Sequence, residues 1–168
     1  MVLRFFTRIF RALRIGNYGS ARTESSNRDD VETVVDLPDS CLRGLRKQDW
    51  VDDRFIISAA AFEPDPRTSM LRTDGGKETS VNWEDDSNVE RFTLSDKSTA
   101  QFGAARISTV HIVQTSTRTA AVVAPLLCER KRIPGNDYHG NIVYSANLNK
   151  RMERLLAASL ALQSRFVR

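Results

Sequence analysis

The sequence predicts an α+β fold, in which a mainly antiparallel sheet carries a C-terminal helix packed on it and an N-terminal amphipathic helix precedes it. Short apolar or alternating runs separated by turn residues predict several strands between residues 37 and 144. Apolar residues return at helical spacing after residue 149. Regular alternation of strands with long helices, which is typical of doubly wound parallel sheets, is absent.

Composition indicates a globular domain with a core of its own. The chain has 168 residues, of which 40% are apolar and 27% are charged. No apolar run reaches the ~20 residues that a spanning helix needs. The two cysteines, Cys41 and Cys128, form no CxxC pair, which excludes zinc-ribbon and thioredoxin-like sites. We expect two buried free thiols in a reducing compartment, with a single disulfide as the alternative.

The net charge of +4 is unevenly distributed along the chain. Residues 1–23 carry +5, residues 24–99 carry −8 and residues 100–168 carry +7. One interpretation is that the acidic middle and the basic last third neutralise each other within one fold. The alternative is a basic face in the last third that binds an acidic protein or nucleic acid.

Residues 1–15 predict an amphipathic basic helix. At 100° per residue, its arginines fall on one side and its Phe, Leu and Ile residues on the other. Such a helix could lie on an anionic membrane surface; the predicted contacts are Phe5, Phe6, Phe10, Arg4, Arg8 and Arg11. A mitochondrial transit peptide and a helix docked on the domain are the alternatives. We therefore expect a cytoplasmic, membrane-associated protein, or a mitochondrial matrix protein if the source is eukaryotic.

Residues 16–36 are predicted to be a flexible linker, and residues 37–168 a single α+β domain. The domain opens with a strand or turn at residues 41–46. Further strands are predicted at 55–62, 79–83, 104–114, 120–127 and 138–144, with a hairpin loop at 115–118. A short helix is predicted at 95–102 and a solvated charge run at 129–132. The terminal helix is predicted to be capped by Asn147 or Asn149.

His139 is the first candidate for chemistry. It lies where a polar turn containing Asn136 meets a strand, a position suited to a general base or a phosphate contact. A surface or capping histidine is the simpler interpretation. The other histidine, His111, has no Glu or Cys at ligand spacing, so we predict no metal site.

The segment from Ser80 to Asp86 is the second candidate. Trp83 beside Asn82 and three consecutive acids indicates the wall of a cleft, although a structural Trp next to a solvated acidic turn explains the pattern equally well. Adjacent carboxylates point in different directions, which makes a catalytic dyad unconvincing. Glycine-rich phosphate loops and GxSxG elbows are absent, so no cofactor is expected.

The order of these motifs resembles that of small uncharacterised bacterial single-domain proteins with an AF…LSV…NxxH arrangement. The resemblance covers residues 37–163 through Phe62, Ser80-Val81-Asn82-Trp83 and Asn136-Asp137-Tyr138-His139, ahead of an Ala/Leu-rich helix. It implies that Ser80, Asn82, Asn136 and His139 form one site, and it implies no reaction. Thr79 stands in place of the usual Leu, and Gly140 in place of the usual Ala.

Two functions follow from these observations. The first is an interaction or binding module carried on a membrane-attaching leader. The second is an enzyme acting on a nucleotide-like or nucleic-acid substrate, with His139 as base, Ser80 in the site and Arg43 as phosphate contact. Leu42-Arg43-Gly44 and Ser80 are loosely similar to ADP-ribosyl transferases, but no glutamate completes that pattern. The sequence leaves open whether the protein is an enzyme.

Overall fold

The computed structural model describes residues 37–118 and 125–168. The predicted helix at 1–15, with its membrane-contact residues, and the predicted linker at 16–36 lie outside the described residues. Among the described residues, none of the helices combines the length and the apolar composition that crossing a bilayer needs.

One six-stranded antiparallel sheet organises the described residues, with the strand order β4-β5-β2-β1-β3-β6. The strands are β1 (Ser40–Gly44), β2 (Lys77–Trp83), β3 (Ala104–Ser108), β4 (Leu126–Arg130), β5 (His139–Tyr144) and β6 (Arg165–Val167). The helices are α1 (Asn88–Ser95), α2 (Thr109–Arg118) and α3 (Lys150–Leu162), with short 3-10 turns at Gln48–Trp50, Ala59–Ala61 and Pro66–Met70. The predicted α+β class, its antiparallel sheet and its C-terminal helix are confirmed.

The two faces of the sheet differ in what covers them. Because side chains alternate along a strand, Val81 and Trp83 of β2 share one face, which we call the core face. There they join the buried cluster that includes Ile112 of α2 and Leu156 of α3. The opposite face, which we call the open face, is covered in part by α1, whose Val89 packs in a cluster with Leu42 and Ala104.

The predicted strand at residues 55–62 is not a strand. It forms an isolated bridge between Val51 and Ile57, followed by a 3-10 turn over Ala59–Ala61 whose cap is Ser58. Phe62 is buried whereas Phe55 is 53% exposed. The apolar run therefore turns into the core instead of crossing it in extended form.

The predicted strand at residues 104–114 is confirmed only as far as Ser108, and the predicted hairpin loop at 115–118 is wrong. The strand ends at Ser108 and α2 begins at Thr109, whose N–H donates to the Asp39 carbonyl over 2.8 Å. Ile112, Thr115 and Ser116 are buried, with the i, i+3, i+4 spacing of a helix face. This segment is rich in β-branched residues, which favour strands, and the strand was predicted for that reason. Of the predicted strand at 120–127, residues 120–124 lie outside the described part, and β4 begins at Leu126.

Smaller differences occur elsewhere. The short helix predicted at 95–102 lies earlier, at Asn88–Ser95, and Glu129 of the predicted solvated charge run is buried in β4. Strand β6 was not predicted. Strands β2 and β5 and helix α3 occur where they were expected, and the Asn149 side chain accepts from the Met152 N–H over 2.9 Å as the helix cap.

Both cysteines are free, as the sequence predicted, but only Cys41 is fully buried, whereas Cys128 is half-buried. Burial raises the pKa of Cys128 to about 12 and raises that of Cys41 as well. Both thiols therefore stay protonated at neutral pH, which makes them poor nucleophiles and poor metal ligands.

Candidate functional site

A cavity of about 460 Å³ opens on the open face of the sheet. Strand β2 forms its floor, with β1 on one side and His139 at the start of β5 on the other. Its remaining walls come from the end of α1, the segment that follows α1 and the turn before β5. The lining residues are Leu42, Arg43, Gly44, Arg46, Ser80, Val81, Asn82, Phe92, Thr93, Asp96, Thr99, Ile133, Pro134, Gly135, Asn136 and His139.

Five of the six residues proposed from the sequence as catalytic or substrate-binding line this cavity. They are Arg43, Ser80, Asn82, Asn136 and His139. They come from three strands and a turn that lie far apart in the sequence, and the antiparallel order β5-β2-β1 brings them together.

Trp83 is the exception, because its side chain packs inside the buried cluster of the core face and does not line the cavity. Its side chain is fully buried, and its indole N–H donates to the Glu129 carbonyl over 3.1 Å. The indole ring packs directly against Gly140, where an added Cβ would lie 2.0 Å from the indole nitrogen. This packing explains why glycine follows His139, and it places Trp83 away from any ligand in the cavity.

Arg43 occupies a gap between β1 and β2. The two strands pair only at Cys41–Trp83 and Leu42–Asn82. Beyond that point, Arg43 Nη1 donates to the Ser80 carbonyl over 2.7 Å and Nε donates to the Ala61 carbonyl over 3.0 Å. The side chain has no carboxylate partner among the described residues. Burial and the nearby charge of Arg46 lower the pKa of Arg43 to about 10, so it remains charged at neutral pH.

His139 has a defined proton position. Its Nδ1 lies 2.6 Å from the Lys131 carbonyl, which can only accept. Nδ1 therefore carries the proton, and Nε2 of the neutral ring is an acceptor. No group in the described part of the chain bonds to Nε2, so it is available to a ligand hydroxyl or water.

Two asparagines hold the far wall of the cavity in place. Asn136 Nδ2 donates to Asn82 Oδ1 over 2.9 Å, and Asn82 Nδ2 donates to Thr93 Oγ1 over 2.8 Å. This chain of hydrogen bonds ties the turn before β5 to α1 across β2. Because both amides are engaged with protein groups, their first role is to position the walls.

Ser80 is exposed on the floor and has no side-chain hydrogen bond in the described residues. It pairs across β2 and β5 with Asn141, two positions along from the pair of Asn82 and His139. The ring nitrogen of His139 that has a partner, Nδ1, bonds to the Lys131 carbonyl and not to Ser80. Ser80 is therefore not an activated nucleophile in this arrangement.

Sequence reasoning missed Arg46, Phe92, Thr93, Asp96 and Thr99 as part of the lining. Asp96 accepts from both Ser98 and Thr99, and these bonds hold the pKa of its carboxyl below the usual value. It is the only acid in the lining. No cluster of three His, Cys, Asp or Glu side chains suited to a metal occurs in residues 37–118 and 125–168.

Replacing Gly140 by alanine tests the packing behind the site. The new Cβ would collide with the Trp83 ring and would lie 2.4 Å from the Glu129 carbonyl oxygen. We expect Gly140→Ala to lower the free energy of unfolding by about 3 kcal/mol or more in urea denaturation. The control is Gly135→Ala, because an added Cβ at Gly135 meets no atom within 4 Å and only its φ of +81° opposes the change. Equal stability losses in the two variants would contradict this packing.

Comparison of the chain with family models, with curated proteins and with solved structures found no match.

Proposed function

We propose that the protein binds a small polar molecule of nucleotide size in the cavity on the open face. The observation that carries this proposal is the convergence of Arg43, Ser80, Asn82, Asn136 and His139 on one cavity of about 460 Å³. That volume falls within the range of sites for small ligands. Adjacent strands lie about 4.8 Å apart, so a ligand reaching from β1 to β5 across β2 would span about 10 Å.

The groups in the cavity suit a ligand with one charged end and one end that donates hydrogen bonds. Arg43 and Arg46 lie on the β1 side, whereas His139 Nε2 offers an acceptor on the β5 side. Phe92, Ile133 and Pro134 supply apolar surface. If chemistry follows binding, His139 is the base, and it acts on a hydroxyl of the ligand or on a water molecule.

An ADP-ribosyl transferase reaction receives less support than binding. The similarity rests on Arg43 and Ser80, and a catalytic glutamate would have to lie beside them. The lining contains no glutamate, and Glu129, the buried acid of β4, is already paired with Arg72 at 2.7 Å.

Binding should be visible by NMR as shifts confined to the cavity. We expect adenosine 5′-monophosphate to perturb the amide signals of Ser80, Asn82 and Asn136. His139→Gln should weaken this binding about three- to tenfold, because one hydrogen bond in a partly hydrated site is lost. His111→Gln is the matched control, since His111 lies on α2 and does not line the cavity. Absence of any shift at the cavity, or equal weakening by both substitutions, would refute the proposal.

We also propose that residues 1–15 attach the protein to an anionic membrane surface. Support comes from the separation of their arginines from their phenylalanines on a helix. A basic face in the last third receives less support, because Arg106, Arg130 and Lys150 from that part pair with Glu84, Asp85 and Glu63 from the acidic middle.

Membrane attachment predicts that the full chain sediments with vesicles rich in phosphatidylglycerol. The double substitution Phe5→Glu and Phe10→Glu should abolish sedimentation, because it places carboxylates on the buried side of the helix. Met70→Glu with Leu71→Glu is the matched control, since both side chains are more than 80% exposed in the domain. Attachment of the Phe5/Phe10 variant at the wild-type level would argue against the proposal.

A further inference from the structure

Next to the cavity, three cations surround the indole ring of Trp50, which packs in the buried cluster of the core face; of these residues, Arg43 and Arg46 line the cavity. The Trp50 ring centroid lies 5.2 Å from Arg43 Cζ, 5.3 Å from Arg46 Cζ and 5.7 Å from Lys47 Nζ. Trp50 itself is only 5% exposed, so the ring is a fixed platform. Among the described residues, none of these three cations forms an ion pair with a carboxylate.

Arg43 is the only half-buried arginine of the described residues that has no carboxylate partner. Arg72 contacts Asp74, Glu78 and Glu129, and Arg106 contacts Glu84 and Glu90. Cations near Trp50 instead lie together, and the charge of Arg46 contributes to the lowered pKa of Arg43. An anion placed between the two guanidinium groups would relieve this repulsion.

Arg43 also has hydrogen-bond donors to spare. A guanidinium carries five N–H groups, and its bonds to the Ala61 and Ser80 carbonyls use two of them. The side chain is half-buried and lines the cavity. Its remaining donors have no protein acceptor within the described residues, and a tetrahedral oxyanion could accept from them.

We infer that Arg43 and Arg46 form an oxyanion subsite that holds the phosphate group of a small phosphate monoester, with Trp50 as the platform that positions both guanidinium groups. This inference rests on the proposed function and specifies the charged end of its ligand. Lys47 lies on the same platform but does not line the cavity, so it adds positive potential without direct contact. Asp96 is the only carboxylate in the lining, and its two oxygens already accept hydrogen bonds from the Ser98 and Thr99 hydroxyls.

Trp50 provides a spectroscopic signal for this subsite. Its ring adjoins the cations, whereas the only other tryptophan, Trp83, is fully buried on the core face. Inorganic phosphate and adenosine 5′-monophosphate should change the emission of Trp50 on titration, and adenosine should not. The change should disappear in Trp50→Phe.

The decisive variant is Arg46→Gln, because Arg46 is exposed and makes no hydrogen bond with the described residues. We expect it to weaken binding of adenosine 5′-monophosphate about tenfold or more, as loss of a charge-assisted bond would. Arg46→Lys should weaken binding less. Arg151→Gln, an exposed arginine on α3, is the matched control and should leave binding unchanged.

The two proposals fail in different ways. If adenosine binds as tightly as adenosine 5′-monophosphate, or if Arg46→Gln has no effect while cavity amides still shift, the oxyanion subsite is refuted and the binding function stands. If none of the three probes shifts any amide of the cavity, both are refuted.

Discussion

The guanidinium of Arg43, held between β1 and β2, is the interaction on which the arrangement of the cavity depends. Strand β1 pairs with β3 along its whole length but leaves β2 after Leu42. The separated strands would leave the Ser80 carbonyl without a partner on β1. Arg43 supplies that partner and binds the Ala61 carbonyl as well. The gap is therefore stable without the strands closing.

The two faces of β2 then perform separate tasks. On the core face, Trp83 passes over Gly140 and fixes β5 and β4 through the Glu129 carbonyl. On the open face, Asn82 joins the turn before β5 to α1. A one-residue shift in the register of β2 would exchange these tasks and destroy both the core and the cavity. Placement of the polar residues of the cavity is thus a consequence of how the core is packed.

Sequence reasoning identified the polar members of the site better than it identified the fold around them. Ser80, Asn82, Asn136 and His139 belong to strands and a turn whose local signals are strong, and these were placed correctly. Residues 109–114 were assigned to a strand because their β-branched residues fit that state by composition, and residues 115–118 were assigned to a hairpin loop. Tertiary packing of Ile112 and Thr115 decided for a helix. The proximity of Trp50 and Arg46 to Arg43 could not be predicted, because it depends on a 3-10 turn that has no sequence signature.

Hydrogen exchange at Arg43 Nε–H tests the central claim most directly, since a guanidinium held by two carbonyls should exchange slowly. We expect an arginine Nε–H signal in ¹⁵N NMR that is protected from solvent, that is absent in Arg43→Lys and that shifts when inorganic phosphate is added. The exposed Arg54 should exchange rapidly and provides the internal reference. An Arg43 Nε–H that exchanges as fast as that of Arg54 would contradict the account.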